Sequence, residues 1–153
     1  MRQEEDDRWD HFVEELQQEI LAREEALYSA KVRELARNPQ HMGRLAAADA
    51  QAVVTGWCGD TMEIYLRFNG SSVREVTFMT DGCAPSVACG SMLATMVQGR
   101  PLAEAEGIMP EDLLAALGGL PEDSVHCAEL AVTTLRQAIA GWKEEAGGDR
   151  SGV

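Results

Sequence analysis

The sequence lacks three features that would assign it to a common functional class. It has no apolar run of the roughly 20 residues that a membrane-spanning helix needs. It has no stripe of basic residues, because 26 acidic residues against 13 Lys and Arg give a formal charge of −13, so nucleic acids and membrane surfaces are not expected partners. It has no Cys-x-x-Cys pair, so no metal site is indicated by close cysteine spacing.

The N-terminal segment is acidic and lacks the basic and apolar regions of a secretory signal. We therefore expect a cytoplasmic protein, in which the four cysteines are free thiols or metal ligands rather than disulfides. Residues 1–25 carry ten acids and three arginines, a net charge of −7. Such a surface would suit a basic protein partner or metal cations, and it is equally what solubility requires.

The periodicity of apolar residues predicts an α+β domain. Steps of three and four residues from residue 5 to about 37 predict one helix, and residues 44–57 are expected to form a loop or a short helical turn. Alternation from Met62 to Phe68, the turn NGSS and a second apolar run predict a β-hairpin. Further helices are expected over residues 86–98 and from about His126 to Lys143.

Three cysteines are expected near the open end of this hairpin. Cys58 precedes the first strand and Cys83 follows the second, and these two ends of a hairpin are neighbours. Cys127 follows His126 at a predicted helix N-terminus, where the helix dipole would lower the pKa of the thiol. If that helix begins beside the hairpin, three cysteines and a histidine meet, which is a ligand set suited to zinc or to an iron–sulfur cluster.

Asp60 is an unusual neighbour for such a set. It lies two residues after Cys58 and can point to the same end, where a hard oxygen ligand would keep a bound metal exchangeable. Buried free cysteines are also common as small hydrophobic residues, so the spacing leaves a shared site and simple packing both open. Cys89, inside a predicted helix, is expected to pack in the core.

Four segments taken together resemble the iron–sulfur cluster assembly scaffolds of the IscU/NifU N-terminal type. They follow one another between Tyr28 and Ala140: YSAKVRELARNPQHMGRL, CGDTMEIYLRF, VTFMTDGCAPSVACGSMLATMVQGRPL and LPEDSVHCAELAVTTLRQAI. The resemblance implies an antiparallel sheet of about three strands packed against several helices, with an extra N-terminal helix. It divides the chain into an acidic helical extension (1–27), a scaffold domain (28–143) and a disordered tail (144–153).

The resemblance also implies a carrier and not an enzyme. A transient [2Fe–2S] or [4Fe–4S] cluster would be built on it and passed to apo iron–sulfur proteins. Cys58, Cys83 and Cys127 would bind the cluster and accept sulfur as persulfide from a cysteine desulfurase. His126 would be a fourth or alternate ligand, and Asp60 would be the acid whose removal makes the cluster less labile. The same groups would hold zinc in the isolated protein.

The sequence departs from the family after Leu120-Pro121. Glu122-Asp123-Ser124 stand where the family usually has Pro-Val-Lys, so docking of the dedicated chaperone is not implied. Two alternatives stay open: a zinc-bound sulfur acceptor of the SufU type, although the insertion typical of that branch is absent after Cys83, and a structural zinc domain whose acidic helix recruits a partner. The coiled-coil-like spacing of the first helix leaves a homo-oligomer open.

Overall fold

The computed structural model describes the backbone of residues 2–151 and the side chains through residue 146. Its sheet has three antiparallel strands in the order β1-β2-β3, namely β1 (Ala50–Thr55), β2 (Thr61–Asn69) and β3 (Ser72–Thr80). This confirms the predicted α+β class and the strand number.

The β2–β3 hairpin forms where the alternation predicted it. Leu66 pairs with Val76, and Met62 at the start of β2 pairs with Thr80 at the end of β3. The chain turns at Gly70, whose φ of 63° lies in the left-handed region that glycine adopts without strain. Most apolar residues of the two strands are buried, among them Ile64, Val76 and Phe78, so the hairpin contributes to the core.

The position of the first strand was not predicted from the sequence. Residues 50–55 were expected to be loop or helical turn, but they pair with β2 from Ala50↔Leu66 to Thr55↔Thr61. The segment AQAVVT offers small residues to the core, and its extended form is set by pairing with β2 rather than by its own pattern. Cys58 therefore lies in the loop of a second hairpin, between β1 and β2.

Within residues 2–151, six α-helices accompany the sheet. They are α1 (Arg2–Leu27), α2 (Ala30–Arg37), α3 (Ala84–Val97), α4 (Leu102–Glu106), α5 (Pro110–Leu117) and α6 (Val125–Ser151), with a 3₁₀ turn at Glu122–Ser124. The prediction of one helix from residue 5 to 37 was wrong in one respect, because Ser29 interrupts it. The Ser29 hydroxyl accepts a hydrogen bond from Val32 N at 3.1 Å and so caps α2 as a separate helix.

One hydrophobic core joins the sheet to the helices. Helix α6 packs across β1 and β2, α3 packs on β3, and α2 and α5 cover α3. The contact between α3 and β3 is close at Gly90, where an added Cβ would lie 2.3 Å from the Phe78 ring. Most of the core side chains belong to β2, β3, α3 and α6, and α2 and α5 contribute others, among them Val32 and Leu117.

Helix α6 is longer than predicted. It continues through Ser151, so the backbone of residues 144–151, expected to be disordered, is helical, and residues 152 and 153 lie outside the described residues. The division of the chain at residues 27 and 143 stays a prediction. Within residues 2–151, no helix has the length and apolar character to cross a membrane.

Candidate metal centre

The β1–β2 loop presents two of the predicted site residues. Gly56 N donates to Asp60 O at 2.8 Å, and Gly59 N donates to Gly56 O at 3.0 Å, which closes a tight loop around Cys58. Gly59 has a φ of 94°, a conformation that residues with side chains rarely adopt. The loop therefore projects the Cys58 thiol outward and turns Asp60 back toward the sheet, where Cys58 is exposed and Asp60 is half-buried.

The end of β3 is held against this loop. Thr61 N donates to Asp81 Oδ1 at 2.7 Å, and Thr80 Oγ1 donates to Thr61 O at 2.8 Å. Cys83 follows directly and occupies the N-cap position of α3, with its thiol exposed. The two hairpin ends thus meet as the sequence predicted.

The third segment is the start of α6. His126 is half-buried, whereas Cys127 is only 1% exposed. Cys127 Sγ lies 3.7 Å from His126 Nε2. Because α6 packs over the sheet, its first turn brings both side chains to the edge that carries Cys58 and Cys83.

The five predicted residues form two overlapping groups. Potential ligand atoms of Cys58, Asp60 and His126 lie within 4.8 Å of one another, and those of Asp60, Cys83 and Cys127 do the same. Asp60 is the member common to both groups. The structure therefore brings together every residue that the sequence analysis selected, and it places the carboxylate between the two sets of softer donors.

Ser86, in the first turn of α3, was missed by the sequence analysis. It is fully buried, its hydroxyl donates to Asp60 Oδ2 at 3.1 Å, and it lies 3.4 Å from Cys127 Sγ. Gly82 makes room for it, since an added Cβ there would lie 2.5 Å from Ser86 Oγ and 2.9 Å from Asp60 Oδ2. The sequence did contain a signal for Ser86, because it follows the candidate ligand Cys83 by three residues in the helix that starts there.

Two aromatic side chains next to the site were also missed. Trp57 is 85% exposed, and its ring centroid lies 5.1 Å from that of His126 at an interplanar angle of 54°. Tyr28 is close enough to Cys83 that burial and the thiolate together raise the pKa of its phenol. The position of Trp57 beside Cys58 in the sequence was a signal for the first, whereas only the tertiary fold brings Tyr28 near.

The helix dipole at the α6 N-terminus was expected to lower the pKa of the Cys127 thiol, but the pKa shifts upward. Burial raises the pKa of the Cys127 thiol to about 11, although the hydrogen bond from Ser86 lowers it. Burial disfavours the thiolate of Cys127, whereas a helix N-terminus would favour it. Cys89 is buried as predicted, and burial raises its pKa as well.

The arrangement offers three thiols, an imidazole and a carboxylate on one edge of the domain. Thiolate and imidazole are ligands that zinc and iron–sulfur clusters take, and a carboxylate oxygen is a harder alternative. The exposed Cys58 and Cys83 thiols are open to an incoming reactant, while Cys127 forms the floor of the site.

Comparison with known proteins identifies the family. Residues 27–148 match the family model described as NifU-like N terminal domain. The iron–sulfur cluster assembly scaffold protein IscU 1 of Archaeoglobus fulgidus is 37% identical over 117 residues, which is 76% of this chain and 76% of that protein. IscU of Azotobacter vinelandii is 33% identical over 126 residues, which is 78% of this chain and 97% of the relative.

Solved structures share the fold. The crystal structure of an N-terminal NifU-like protein from Brucella abortus superposes with a TM-score of 0.60 at 24% identity, covering 77% of this chain and 95% of that one. The family match spans the sheet, the helices α2 to α5 and nearly all of α6, and it leaves out almost the whole of α1. The chain belongs to the NifU-like N-terminal domain family.

Proposed function

We propose that the protein is a scaffold on which iron–sulfur clusters are assembled as cargo and from which they pass to apo iron–sulfur proteins. One observation carries this proposal: Asp60 belongs to both ligand groups, so a hard oxygen competes at each of them with sulfur or nitrogen. A permanent structural metal site gains nothing from such a competitor, whereas a site that must release its cargo does. The scaffold names of the relatives in Archaeoglobus fulgidus and Azotobacter vinelandii support it.

The proposed ligands divide by accessibility. Cys58, Cys83, Cys127 and His126 supply four donors, the number that a small cluster or a zinc ion takes. Cys58 and Cys83 lie exposed at the rim, and Cys127 is buried beneath them. A cluster bound by these donors would be held by the buried Cys127 and could exchange ligands at the exposed Cys58 and Cys83.

The exposed thiols also suit sulfur delivery. A cysteine desulfurase carries the sulfur as a persulfide, Cys–S–S⁻, and a thiol of the scaffold accepts the outer sulfur while the enzyme's thiol leaves. The scaffold thiol becomes the persulfide and no net oxidation takes place in this step. Cys58 and Cys83 are the first acceptors on this proposal, because attack requires an approach that burial denies to Cys127. The chemistry needs reduced thiols, so a reducing compartment such as the cytoplasm is part of this proposal.

A zinc-bound sulfur acceptor is the alternative. The same donors suit zinc, so zinc in the isolated protein agrees with either function. The two functions differ in whether a cluster forms and leaves. The IscU proteins of Archaeoglobus fulgidus and Aquifex aeolicus match over 76% and 73% of this chain, and both carry scaffold names, which favours the cluster.

Anaerobic reconstitution tests the proposal. The protein is incubated with ferrous iron, cysteine and a cysteine desulfurase, and cluster formation is followed by absorption and Mössbauer spectra and by iron and sulfide content. Transfer to an apo-ferredoxin is then measured. The wild type should form a cluster and pass it on, Cys83→Ser should hold none stably, and Cys89→Ala, which removes a thiol outside both ligand groups, should behave as wild type.

Two other outcomes would reject the scaffold function, and a third would change its ligand set. Tight zinc, no cluster and faster desulfurase turnover would establish a sulfur acceptor. Zinc without either activity would leave a metal-stabilised interaction domain. An unchanged cluster content in Cys83→Ser would remove that thiol from the site.

A further inference from the structure

Helix α1 carries an apolar stripe that the described part of the chain does not cover. None of its side chains is buried over 26 residues. Its exposed apolar residues, with exposed fractions from 39 to 67%, are Trp9, Phe12, Val13, Leu16, Ile20, Leu21 and Leu27. A run of large apolar side chains on the surface of a small domain marks a place of interaction.

The stripe is continuous along one face of the helix. Trp9, Val13, Leu16 and Ile20 follow at steps of four, three and four residues, which is the a/d spacing of a coiled-coil seam. Phe12 widens the stripe, since its ring stacks on that of Trp9 at 5.7 Å. The next residue of the a/d pattern after Ile20 is Arg23, which interrupts the seam. The seam therefore spans barely two heptads.

The helix is attached to the domain by its last turns. Glu24 and Glu25 pair with Arg37 and Arg33 of α2 at 3.5 and 3.8 Å, and Tyr28 N donates to Glu24 O. These pairs are largely exposed, so they orient the helix weakly. The stripe from Trp9 to Ile20 lies beyond them and remains available.

A second copy of the chain is a poor occupant for this stripe. The charged residues that flank the seam at the e and g positions are all acidic, and they are Glu5, Asp10, Glu19 and Glu24. In a parallel pair Glu5 would face Asp10 of the other copy and Glu19 would face its Glu24. Repulsion along a seam of two heptads leaves little to stabilise a homodimer.

We propose that α1 docks a protein partner that presents an apolar stripe bordered by Lys and Arg. Such a partner covers the Trp9–Ile20 seam and turns the acidic flanks from repulsive to attractive. The net charge of −7 on residues 1–25 steers it toward the helix. The same charge opposes an anionic membrane surface. This docking surface is separate from the metal centre and does not depend on the proposed cluster chemistry.

The test uses the full chain and a pair of synthetic helical peptides of about four heptads. Both have Leu at a and d; the basic probe has Lys at e and g, and the acidic probe has Glu there. Fluorescence anisotropy of the labelled peptides should show binding of the basic probe only, and binding should weaken as NaCl rises from about 50 to about 500 mM.

Two variants with the same added charge locate the contact. Leu16→Glu places the charge in the seam and should weaken binding of the basic probe at least about tenfold. Gln18→Glu places it on the opposite face of α1 and should leave binding unchanged or slightly tighter. Circular dichroism of both variants checks that the fold is retained.

Several results would overturn the proposal. One is equal affinity for the two probes, or no affinity for the basic probe. A second is sedimentation as a dimer that Leu16→Glu dissociates, since the stripe would then belong to a second copy. A third is tighter binding to phosphatidylcholine–phosphatidylserine vesicles than to the basic probe, which would make the occupant a membrane.

Discussion

The hydroxyl of Ser86 donates a 3.1 Å hydrogen bond to Asp60 Oδ2 inside the domain edge that carries the thiols. The same hydroxyl lies 3.4 Å from Cys127 Sγ, and because it has one hydrogen it can donate to only one of the two acceptors at a time. Asp60 therefore has a hydrogen-bond partner in the protein in the absence of metal. If Asp60 is a ligand, as proposed, Ser86 competes with the metal for its oxygen, so Asp60 should exchange readily.

Replacing Asp60 should slow the loss of a bound cluster. Asp60→Ala removes the oxygen that competes with thiolate and imidazole at both ligand groups, so the remaining donors should hold the cluster longer. The measurement is the decay of cluster absorbance under anaerobic conditions with a chelator present. Asp123→Ala removes an acid outside both groups and serves as the control. Faster decay in Asp60→Ala would show that the carboxylate stabilises the cluster.

The four thiols of the metal-free protein should react in a fixed order. Cys58 and Cys83 are exposed and should be alkylated first. Cys127 should follow slowly, because its pKa is raised to about 11 and the thiol is almost wholly protonated at pH 8. Its rate should keep rising with pH well above 9.

Mass spectrometry of peptides after timed treatment with iodoacetamide gives this order directly. Cys89, buried in the core, should react last and only as the protein unfolds. Alkylation of Cys127 as early as that of Cys83 would mean that the site opens in solution.

Removing α1 should leave the metal centre intact. Deletion of residues 1–25 takes away no ligand and no buried side chain, and the pairs it breaks with α2 are exposed. The free energy of unfolding should fall by less than about 1 kcal/mol. Cluster content after reconstitution and the urea midpoint are the two measurements. A collapse of cluster binding would place α1 in an oligomer interface that the site requires.

Removing metal should loosen the protein without unfolding it. The core of β2, β3, α3 and α6 is formed by apolar side chains and needs no metal to hold it together. Chelation should lower Tm, because a ligand bound only to the folded state stabilises it, and should leave the far-ultraviolet circular dichroism close to that of the zinc form. Loss of that signal on chelation would indicate a structural zinc domain.

The elements with strong local patterns were predictable from the sequence. The β2–β3 hairpin has alternating apolar residues around Asn69-Gly70, and α3 is an apolar segment that ends before Gly99. Strand β1 was not predictable in this way. Its inward residues are Ala50, Ala52 and Val54, which give little contrast with their neighbours, and only pairing with β2 extends it.

The break between α1 and α2 shows a different limit. A continuous three- and four-residue period gives no sign of a break, because the same apolar spacing serves one helix or two. Ser29 was the local signal, since serine caps helices. Its hydroxyl also donates to Leu117 O at the end of α5, a tertiary contact that the sequence does not reveal.

The membership of the candidate site was predicted, but its environment was not. The ligand atoms of Cys58 and of Cys83 each lie within 4.8 Å of one on Asp60, as expected where the hairpin ends meet, and the start of the last helix supplies His126 and Cys127. The depth of Cys127 depends on how α6 packs over the sheet. That packing decides the direction of its pKa shift, and a sequence pattern contains no measure of it.

The three segments that carry the candidate ligands are far apart along the chain: 25 residues separate Cys58 from Cys83, and 43 separate Cys83 from His126. A bound cluster would tie them into two closed loops, and closing loops of this length in a disordered chain costs considerable entropy. In the folded domain, burial of the apolar core already offsets this loss of entropy. Cluster binding and folding would therefore be thermodynamically coupled. Any change that loosens the packing of α6 on the sheet should also lower the affinity for the cluster.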